Sequence, residues 1–341
     1  MPVQVLQSVL ADSQPVTSRR ILVTGGAGYI GSHTVRLLLQ QGHDVTVADN
    51  LSKGYRHNVP AERLAILDIA DTSALAELMR QRKIEAVIHF AAFIAVGESM
   101  RQPARYFTNN VAGSLSLLRA MVDNGVQHLV FSSTAAVYGN PAVSPIPETA
   151  AIQPVNPYGE SKVMVETFLR WFDQIHHLTS VCLRYFNASG GDPEGRLGEE
   201  HEPETHLIPL LLRAVLTGQP ITIFGNDYDT PDGTCIRDYI HVDDLAQAHI
   251  LALDYLLYGG ASQQFNVGTG TGHSVLEMLR VVEEVTGRPV PYVVGPRREG
   301  DPPQLVASSA KLQTTLDWKP RYTSLHTIVE HAWKFASQHA K

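Results

Sequence analysis

Cysteine is scarce in this chain, with two residues among 341: Cys182 lies inside the apolar run Ser180 to Phe186, and Cys235 lies near Arg237. That scarcity argues against a disulfide framework or a cysteine metal site. Positive charge is also in short supply, with 27 Lys and Arg against 34 Asp and Glu and a net charge of −7. No basic field exists to draw in nucleic acid or an anionic membrane, so any phosphate must be held by local geometry, and the expected partner is a small molecule. No apolar run approaches the ~20 residues of a membrane span. Residues 1–18 lack the basic start and unbroken apolar centre of a secretory signal, because Gln4, Gln7, Ser8, Asp12 and Gln14 interrupt them. That segment reads as a mobile tail, and the cytoplasm is the expected compartment. None of the 15 histidines, His176-His177 included, falls in a metal-ligand spacing, so no metal is expected. Internal repeats and low-complexity segments are missing too. The remaining composition is ordinary, 44% hydrophobic and 18% charged, over a length that suits one large domain or two interleaved lobes.

Against this background one stretch stands out, Ile21 to Gly31, which reads I-L-V-T-G-G-A-G-Y-I-G. Ile21, Leu22 and Val23 form the short apolar run of a buried parallel strand, and Gly25, Gly28 and Gly31 follow at the spacing of a nucleotide-binding turn. Gly25 lets the chain turn out of the strand, Gly28 lets backbone approach a pyrophosphate, and Gly31 lets the following helix pack on the sheet. The helix from Ser32 to Gln41 would aim its free N–H groups and positive dipole end at the phosphates. A second strand, Asp44 to Ala48, ends at Asp49, about 20 residues on, where a carboxylate meets an adenosine ribose. Strand, turn, helix and carboxylate together predict dinucleotide binding in a doubly wound parallel α/β sheet.

Further strands follow at Leu64 to Leu67 and Ile84 to Phe90. The first ends at Asp68-Ile69, which either flanks an adenine or provides an Asp that caps the helix from Thr72. Ala91 and Ala92, after the second, are small enough to let a ribose or phosphate come close. Asn109 and Asn110 sit in a helical stretch where an inward amide must find a partner. The strand Gln127 to Ser133 delivers Ser132, Ser133 and Thr134 at its carboxyl end, the edge where ligands bind in such sheets.

Asn156-Pro157 starts a helix, with Asn as N-cap and Pro in the first helical position. Tyr158 and Lys162, four residues apart, share one face of it. Two unit charges about 6 Å apart at an effective dielectric near 20 interact by roughly 3 kcal/mol, about two pKa units. The helix's positive end adds ~0.3–1 kcal/mol in the same sense. These numbers predict a phenol whose pKa is depressed towards neutrality, fit to act as a general base. After the strand Leu178 to Phe186 the chain becomes loop-rich around a short helix from Ile208 to Leu216, and a second lobe begins. Val242 to Leu257 reads as a helix and Gln263 to Val267 as a strand that rejoins the sheet. Ser274 with Glu277 forms a capping box, and Gly287 then Pro289 close that helix. Arg237 and the run Arg297-Arg298-Glu299-Gly300-Asp301 supply guanidinium groups of the kind that fork onto pyrophosphate.

Thr24-Gly25-Gly26-Ala27-Gly28-Tyr29-Ile30-Gly31, Ser132-Ser133-Thr134 and Tyr158-Gly159-Glu160-Ser161-Lys162 together resemble the extended short-chain dehydrogenase/reductases, and among them the UDP-glucose 4-epimerases. Val96-Gly97-Glu98-Ser99, Val137-Tyr138-Gly139, Arg184-Tyr185-Phe186-Asn187, Phe224-Gly225-Asn226-Asp227-Tyr228 and Arg237-Asp238-Tyr239-Ile240-His241-Val242 extend the likeness over nearly the whole chain beyond residue 18. The resemblance implies a Rossmann domain at 19–186 with returning segments near 240–268, and a smaller α/β lobe for the UDP-sugar at 187–239 and 269–341. It implies no net redox change. Tyr158, helped by Thr134, takes the proton of the sugar 4-hydroxyl, tightly held NAD accepts the C4 hydride, and the 4-keto sugar turns over and takes the hydride back on its other face. Lys162 holds the nicotinamide ribose and lowers the tyrosine pKa. By matching positions, NAD would be contacted by Gly25, Gly28, Tyr29, Ile30, Gly31, Asp49, Asn50, Leu51, Ser52, Lys53, Gly54, Asp68, Ile69, Phe90, Ala91, Ala92, Asn109, Ser132 and Phe186 in addition to Tyr158 and Lys162. Thr134, Asn187, Leu207, Phe224, Arg237, Arg298 and Asp301 would hold the UDP-sugar. A homodimer through helices around 100–123 and 157–176 is implied as well.

The sugar-nucleotide 4,6-dehydratases of this superfamily carry an Asp-Glu pair after the strand-end threonine, because eliminating water needs an extra acid and base. Here those places are Ala135 and Ala136, which disfavours dehydration and the decarboxylation that resembles it. Asp49 would repel a 2′-phosphate, which favours NAD over NADP. Three positions depart from the pattern. Ile94 stands where several bacterial epimerases have a lysine, His206 replaces a substrate-touching asparagine, and Leu305 replaces a tyrosine associated with excluding N-acetylated sugars. The alternatives are therefore a 4-epimerase acting on UDP-N-acetylhexosamines or UDP-pentoses, and a catalytically silent NAD-bound regulator.

Overall fold

A strand covered on both faces needs apolar side chains at successive positions, and β1 (Arg20–Thr24) provides them: Ile21, Leu22 and Val23 are all 0% exposed. In the computed structural model, which describes residues 18–298 and 302–339, the chain continues through α1 (Tyr29–Gln40), β2 (Asp44–Asp49), β3 (Leu64–Ile66), α2 (Thr72–Arg82), β4 (Ala86–His89), α3 (Gly113–Asp123), β5 (His128–Ser132), α4 (Pro157–His176) and β6 (Thr179–Tyr185). Then come β7 (Asn187–Ser189), α5 (Leu207–Thr217), β8 (Ile221–Phe224), β9 (Ile236–His241), α6 (Val242–Leu257), β10 (Gln263–Val267), β11 (Gly272–Ser274), α7 (Val275–Thr286), β12 (Tyr292–Gly295), β13 (Gln304–Leu305) and α8 (Leu325–His339). Seven parallel strands form one sheet in the order β10-β6-β5-β4-β1-β2-β3. The order reverses between β1 and β4, which is where a doubly wound sheet opens its ligand crevice.

Alternation along β1 sends Ile21 and Val23 to one face, with Val35, Leu38, Leu245, Ala248 and Phe265, and Leu22 to the other, with Leu75, Met79, Leu117, Met121 and Leu169. Helices α1 and α6 cover the first face, and α2, α3 and α4 cover the second. Each fully buried aliphatic side chain contributes roughly 1.5–3 kcal/mol, so this double layer fixes the frame on which the site is built. A third cluster, including Leu211, Ile223, Met278 and Val329, forms the core around α5, α7 and α8 beyond the sheet. β7, β9, β11 and β13 make a small second sheet, and β8 pairs with β12.

Asn156 caps α4 by accepting from the Gly159 N–H at 2.8 Å, with Pro157 in the first turn. Ser274 caps α7 by accepting from the Glu277 N–H, but the Glu277 carboxylate bonds the His273 ring and does not return to the cap, so half of the predicted box forms. The expected helix around 100–123 is broken. Short helical pieces at Val96–Arg101 and Pro103–Tyr106 lead into a π-helical turn at Phe107–Ala112 before α3. Pro103 cannot continue the ladder of the preceding piece, and the wide turn aims Asn110 inward. Its amide bonds the Phe93 backbone at both ends and the Ser161 hydroxyl at 3.1 Å.

Helices α1 and α6 are tied together through Asp243, which accepts from His33 Nδ1 and Arg36 Nη2, each at 2.7 Å. Burial works to raise this carboxyl, yet the bonds and charges of His33 and Arg36 outweigh it and hold it down to about 2. A depressed carboxyl contributes stability above its unfolded value near 4 and loses it as pH falls through about 2. Asp243→Asn is therefore expected to cost about 2 kcal/mol in urea unfolding at pH 7, and the gap to the parent protein should shrink as pH drops below 4. A gap independent of pH would remove the ion pair from the account.

Candidate active site

The turn after β1 is shaped by backbone collisions that only glycine avoids. Gly25 has φ +71°, and a Cβ there would lie 2.5 Å from the Ala91 nitrogen; at Gly31 it would lie 2.3 Å from the Gly25 carbonyl oxygen. Gly28 is different: a Cβ there would meet nothing closer than that same oxygen at 3.4 Å, so its front is open space of the kind a phosphate fills. The residues present fit a dinucleotide. The open glycine sits at the N-terminus of α1, and no side chain caps that helix. Asp49 follows at the end of β2, its carboxylate accepting from the Ala27 and Leu51 N–H groups at 3.0 and 2.8 Å, and so locks the turn to the loop 50–54. Burial raises its pKa, with the two backbone bonds opposing.

Around this crevice, Asn50 donates to Asp68 at 2.8 Å and its carbonyl accepts from the Ser52 N–H. Asp68 does not cap α2. Asp71 does, accepting from the Ala74 N–H, while Asp68 holds its own turn through the Ala70 N–H. Ile69 is buried against Gly113. Lys53 reaches the Glu202 carbonyl oxygen at 2.7 Å, and Gly54 packs on Ala27 and Asp49. The Tyr29 hydroxyl donates to the Gly190 carbonyl oxygen at 2.8 Å, which leaves the backbone of Tyr29 and Ile30 as the part facing the crevice. Phe90 and Ala91 bond the Thr24 carbonyl oxygen, which brings the end of β4, with Ala92 next in sequence, alongside the glycine turn. Asn109 donates to the Asn110 side chain.

At the end of β5, Ser132 shares a 2.6 Å hydrogen bond with the Tyr185 hydroxyl, Ser133 donates to Glu166, and Thr134 accepts from the Ala136 N–H at 3.1 Å while also bonding the Tyr158 hydroxyl. Tyr158 is buried at 7% exposure. Lys162 lies one turn further along α4, its Nζ 5.9 Å from the Tyr158 ring centroid, 4.9 Å from the Phe131 ring, and bonded to the Ser132 carbonyl oxygen at 2.8 Å. The expected depression of the phenol is overturned. Burial pushes Tyr158 up to about 12, against the Thr134 hydrogen bond, and brings Lys162 down to about 7, against the charge of Glu166. A surface-like dielectric does not apply to this pair, because both groups lie out of water, where each charged form is disfavoured.

Sequence reasoning missed Glu166, although it continues the four-residue series Tyr158, Lys162, Glu166 along α4. It receives a fork from Arg184 at 3.0 and 2.5 Å, and Arg184 passes on to the Tyr138 hydroxyl and so to Asn266. This chain braces the strand ends behind the lysine.

The positions expected to hold the UDP-sugar come from separate elements. Asn187 donates to the Asp238 carbonyl oxygen at 2.9 Å, and Phe186 and Leu305 pack with Ala135 and Tyr138 beside Thr134. Leu305 is in register with Arg237 across the β13–β9 pair, and Arg237 bonds the Ile236 carbonyl oxygen. Leu207 opens α5, and Arg298 stacks over the half-exposed Phe224 at 4.2 Å. Asp301 lies outside the described residues. The histidine expectation meets a difference here, because His201 and His206 come together with Glu199 and Glu204.

A glycine turn at the switch point, a carboxylate at the end of β2 and a Thr-Tyr-Lys group on the next strand end and helix define a dinucleotide-dependent enzyme that moves hydrogen at an alcohol carbon. A family profile described as "NAD dependent epimerase/dehydratase family" matches residues 21–268, and the chain belongs to that family. It is 52% identical over 320 residues to a UDP-glucose 4-epimerase of Halalkalibacterium halodurans, covering 94% of this chain and 96% of the relative. It is 48% identical to one from Lactobacillus helveticus, over 94% of this chain and 98% of that one. A solved structure described as UDP-glucose 4-epimerase from Brucella ovis in complex with NAD superposes with a TM-score of 0.91, at 46% identity, covering 93% of this chain and 98% of its own.

Proposed function

We propose that this chain interconverts UDP-glucose and UDP-galactose by reversible epimerisation at C4 with resident NAD. The observation that carries the reading is the buried Tyr158 hydroxyl on Thr134, at a strand end followed by Ala135 and Ala136, so that the two positions next to the threonine carry no acid to expel water. NAD, when bound, supplies an acceptor for the C4 hydride and the positive charge that favours the ionised phenol. Tyr158 takes the 4-hydroxyl proton and gives it back, Thr134 orients that exchange, and Lys162 is held by Ser132 where a ribose hydroxyl can replace or share its bond. Asp49, Gly28 and the first turn of α1 hold the dinucleotide, and Asn187, Leu207, Phe224, Arg237 and Arg298 hold the UDP portion. Asp301 belongs to the same group by its place in the sequence.

The reading is tested by supplying UDP-galactose to the purified protein without added cofactor. UDP-glucose should accumulate to equilibrium, and NAD should appear in the supernatant of the acid-denatured protein at about one per chain. A folded, NAD-loaded sample that converts neither UDP-galactose nor its N-acetyl analogue would support the silent-regulator alternative. Leu305 favours a second substrate. Leu305 packs on the same apolar cluster as Phe186 beside Thr134, and a side chain smaller than tyrosine there supports turnover of UDP-N-acetylglucosamine in the same assay. We further propose a cytoplasmic homodimer, supported by exposed apolar side chains at Val96, Met100, Trp171 and Ile175 on the neighbouring helices.

A further inference from the structure

We propose that Glu199, His201, Glu204 and His206 bind one divalent transition-metal ion of the zinc class. The four lie in the loop between β7 and α5, at the spacing Glu-x-His-x-x-Glu-x-His, and one donor atom from each lies within 4.8 Å of the other three. His201 Nδ1 is 3.3 Å from the Glu199 carboxylate and 3.9 Å from that of Glu204, and His206 Nδ1 contacts Glu199 and lies 3.8 Å from Glu204. Donors bound at about 2.0–2.2 Å in a tetrahedron stand roughly 3.3–3.6 Å apart, so small rotations of these side chains reach that geometry. Both imidazoles aim the same ring nitrogen at both carboxylates, which is the convergence an ion requires.

Charge and burial point the same way. The Glu199 and Glu204 side chains are only 5% and 8% exposed, and two carboxylates this close and this dry need a compensating positive group. A dication with two carboxylates and two neutral imidazoles is electrically balanced. Two nitrogen donors suit zinc and its neighbours and disfavour calcium or magnesium, which take oxygen shells. Four protein ligands close the coordination sphere, so the ion is structural and leaves no position for substrate.

Its place explains what it would hold. The His201 ring meets the Tyr29 ring edge to face at 6.4 Å, Glu202 accepts from Lys53, and Glu200 pairs with His57, so one side of the loop is fastened to the glycine turn and the loop after β2. Its other end runs directly into Leu207 and α5. The ion would clamp the dinucleotide crevice to the helix that starts the second lobe.

The test is independent of catalysis. NAD-loaded full-length protein is treated with a chelator, desalted and titrated with zinc sulfate by calorimetry, alongside His201→Ala and Glu204→Gln. One zinc per chain with submicromolar affinity is expected for the parent, with affinity at least ~100-fold weaker in either variant. Zinc should also raise the parent Tm by about 5 °C and leave that of Glu204→Gln nearly unchanged. Cobalt should give the intense visible absorption of a four-coordinate site in the parent and not in the variants. Circular dichroism and NAD content confirm that each variant is folded. Absence of stoichiometric zinc binding by the parent at ~10 μM, or affinity in both variants equal to that of the parent, would overturn the assignment.

Discussion

Replacement of Tyr158 by Phe is expected to lower kcat for UDP-galactose by about 10³-fold, within the 10²–10⁴ range typical of a positioned proton-transfer group. The ring stays in its buried slot and only the hydroxyl is lost, so the dinucleotide crevice, built from β1, α1 and β2, is untouched. Thr134, the hydroxyl's partner, keeps its bond from the Ala136 N–H. NAD content and KM should therefore remain close to the parent values and Tm should move little, a pattern that separates lost chemistry from lost binding. Initial rates with coupled detection of UDP-glucose, together with NAD released on denaturation, provide both readouts. Activity within tenfold of the parent would show that another group carries the proton.

The second large effect is expected at Gly25. Changing it to Ala places a side chain at φ +71°, costing about 1–2 kcal/mol on its own, and drives the new Cβ into the backbone of Ala91 at 2.5 Å and Phe90 at 2.9 Å. Those atoms are held by hydrogen bonds to Thr24 and cannot step aside without parting the ends of β1 and β4, between which the dinucleotide must lie. The variant should purify with less than about a tenth of the parent NAD and with activity reduced at least 10²-fold, because a misplacement near 1 Å is sufficient for losses of that size. Far-ultraviolet circular dichroism, in which the parallel sheet should persist, distinguishes a broken crevice from an unfolded chain. Full NAD occupancy in a folded variant would mean that the turn tolerates what the geometry forbids.

Features controlled by local chemistry were legible in the residues. The glycine spacing, the Asn156-Pro157 helix start and the Tyr158–Lys162 pairing all depend on near neighbours in the chain, and each appears in the structure where the residues placed it. The direction of the Tyr158 shift was not legible, because it depends on how completely the folded chain excludes water from the phenol, a tertiary quantity. Asp68 and Asp71 exchange the expected capping role because both stand before α2 with acceptable spacing, and only the backbone path decides between them. The π-helical turn at Phe107–Ala112 leaves no periodicity that would betray it. The positions proposed for the UDP-sugar lie on β7, α5, β8, β9 and the segment before residue 299, which share no sequence pattern, so they were reached through resemblance. The Glu199 to His206 group escaped for a related reason. Its residues lie on a loop, where spacing carries no facing rule, and only the fold brings their donor atoms together.

If Tyr158 and NAD act as proposed, the hydrogen leaving C4 of the sugar returns to the same carbon without reaching solvent. UDP-galactose carrying deuterium at C4, converted in ordinary water without added cofactor and analysed by mass spectrometry and proton NMR, measures this directly. UDP-glucose with the deuterium retained at C4 is expected; label lost to water, or turnover that appears only when reduced cofactor is supplied, would rule out a hydride held within the site.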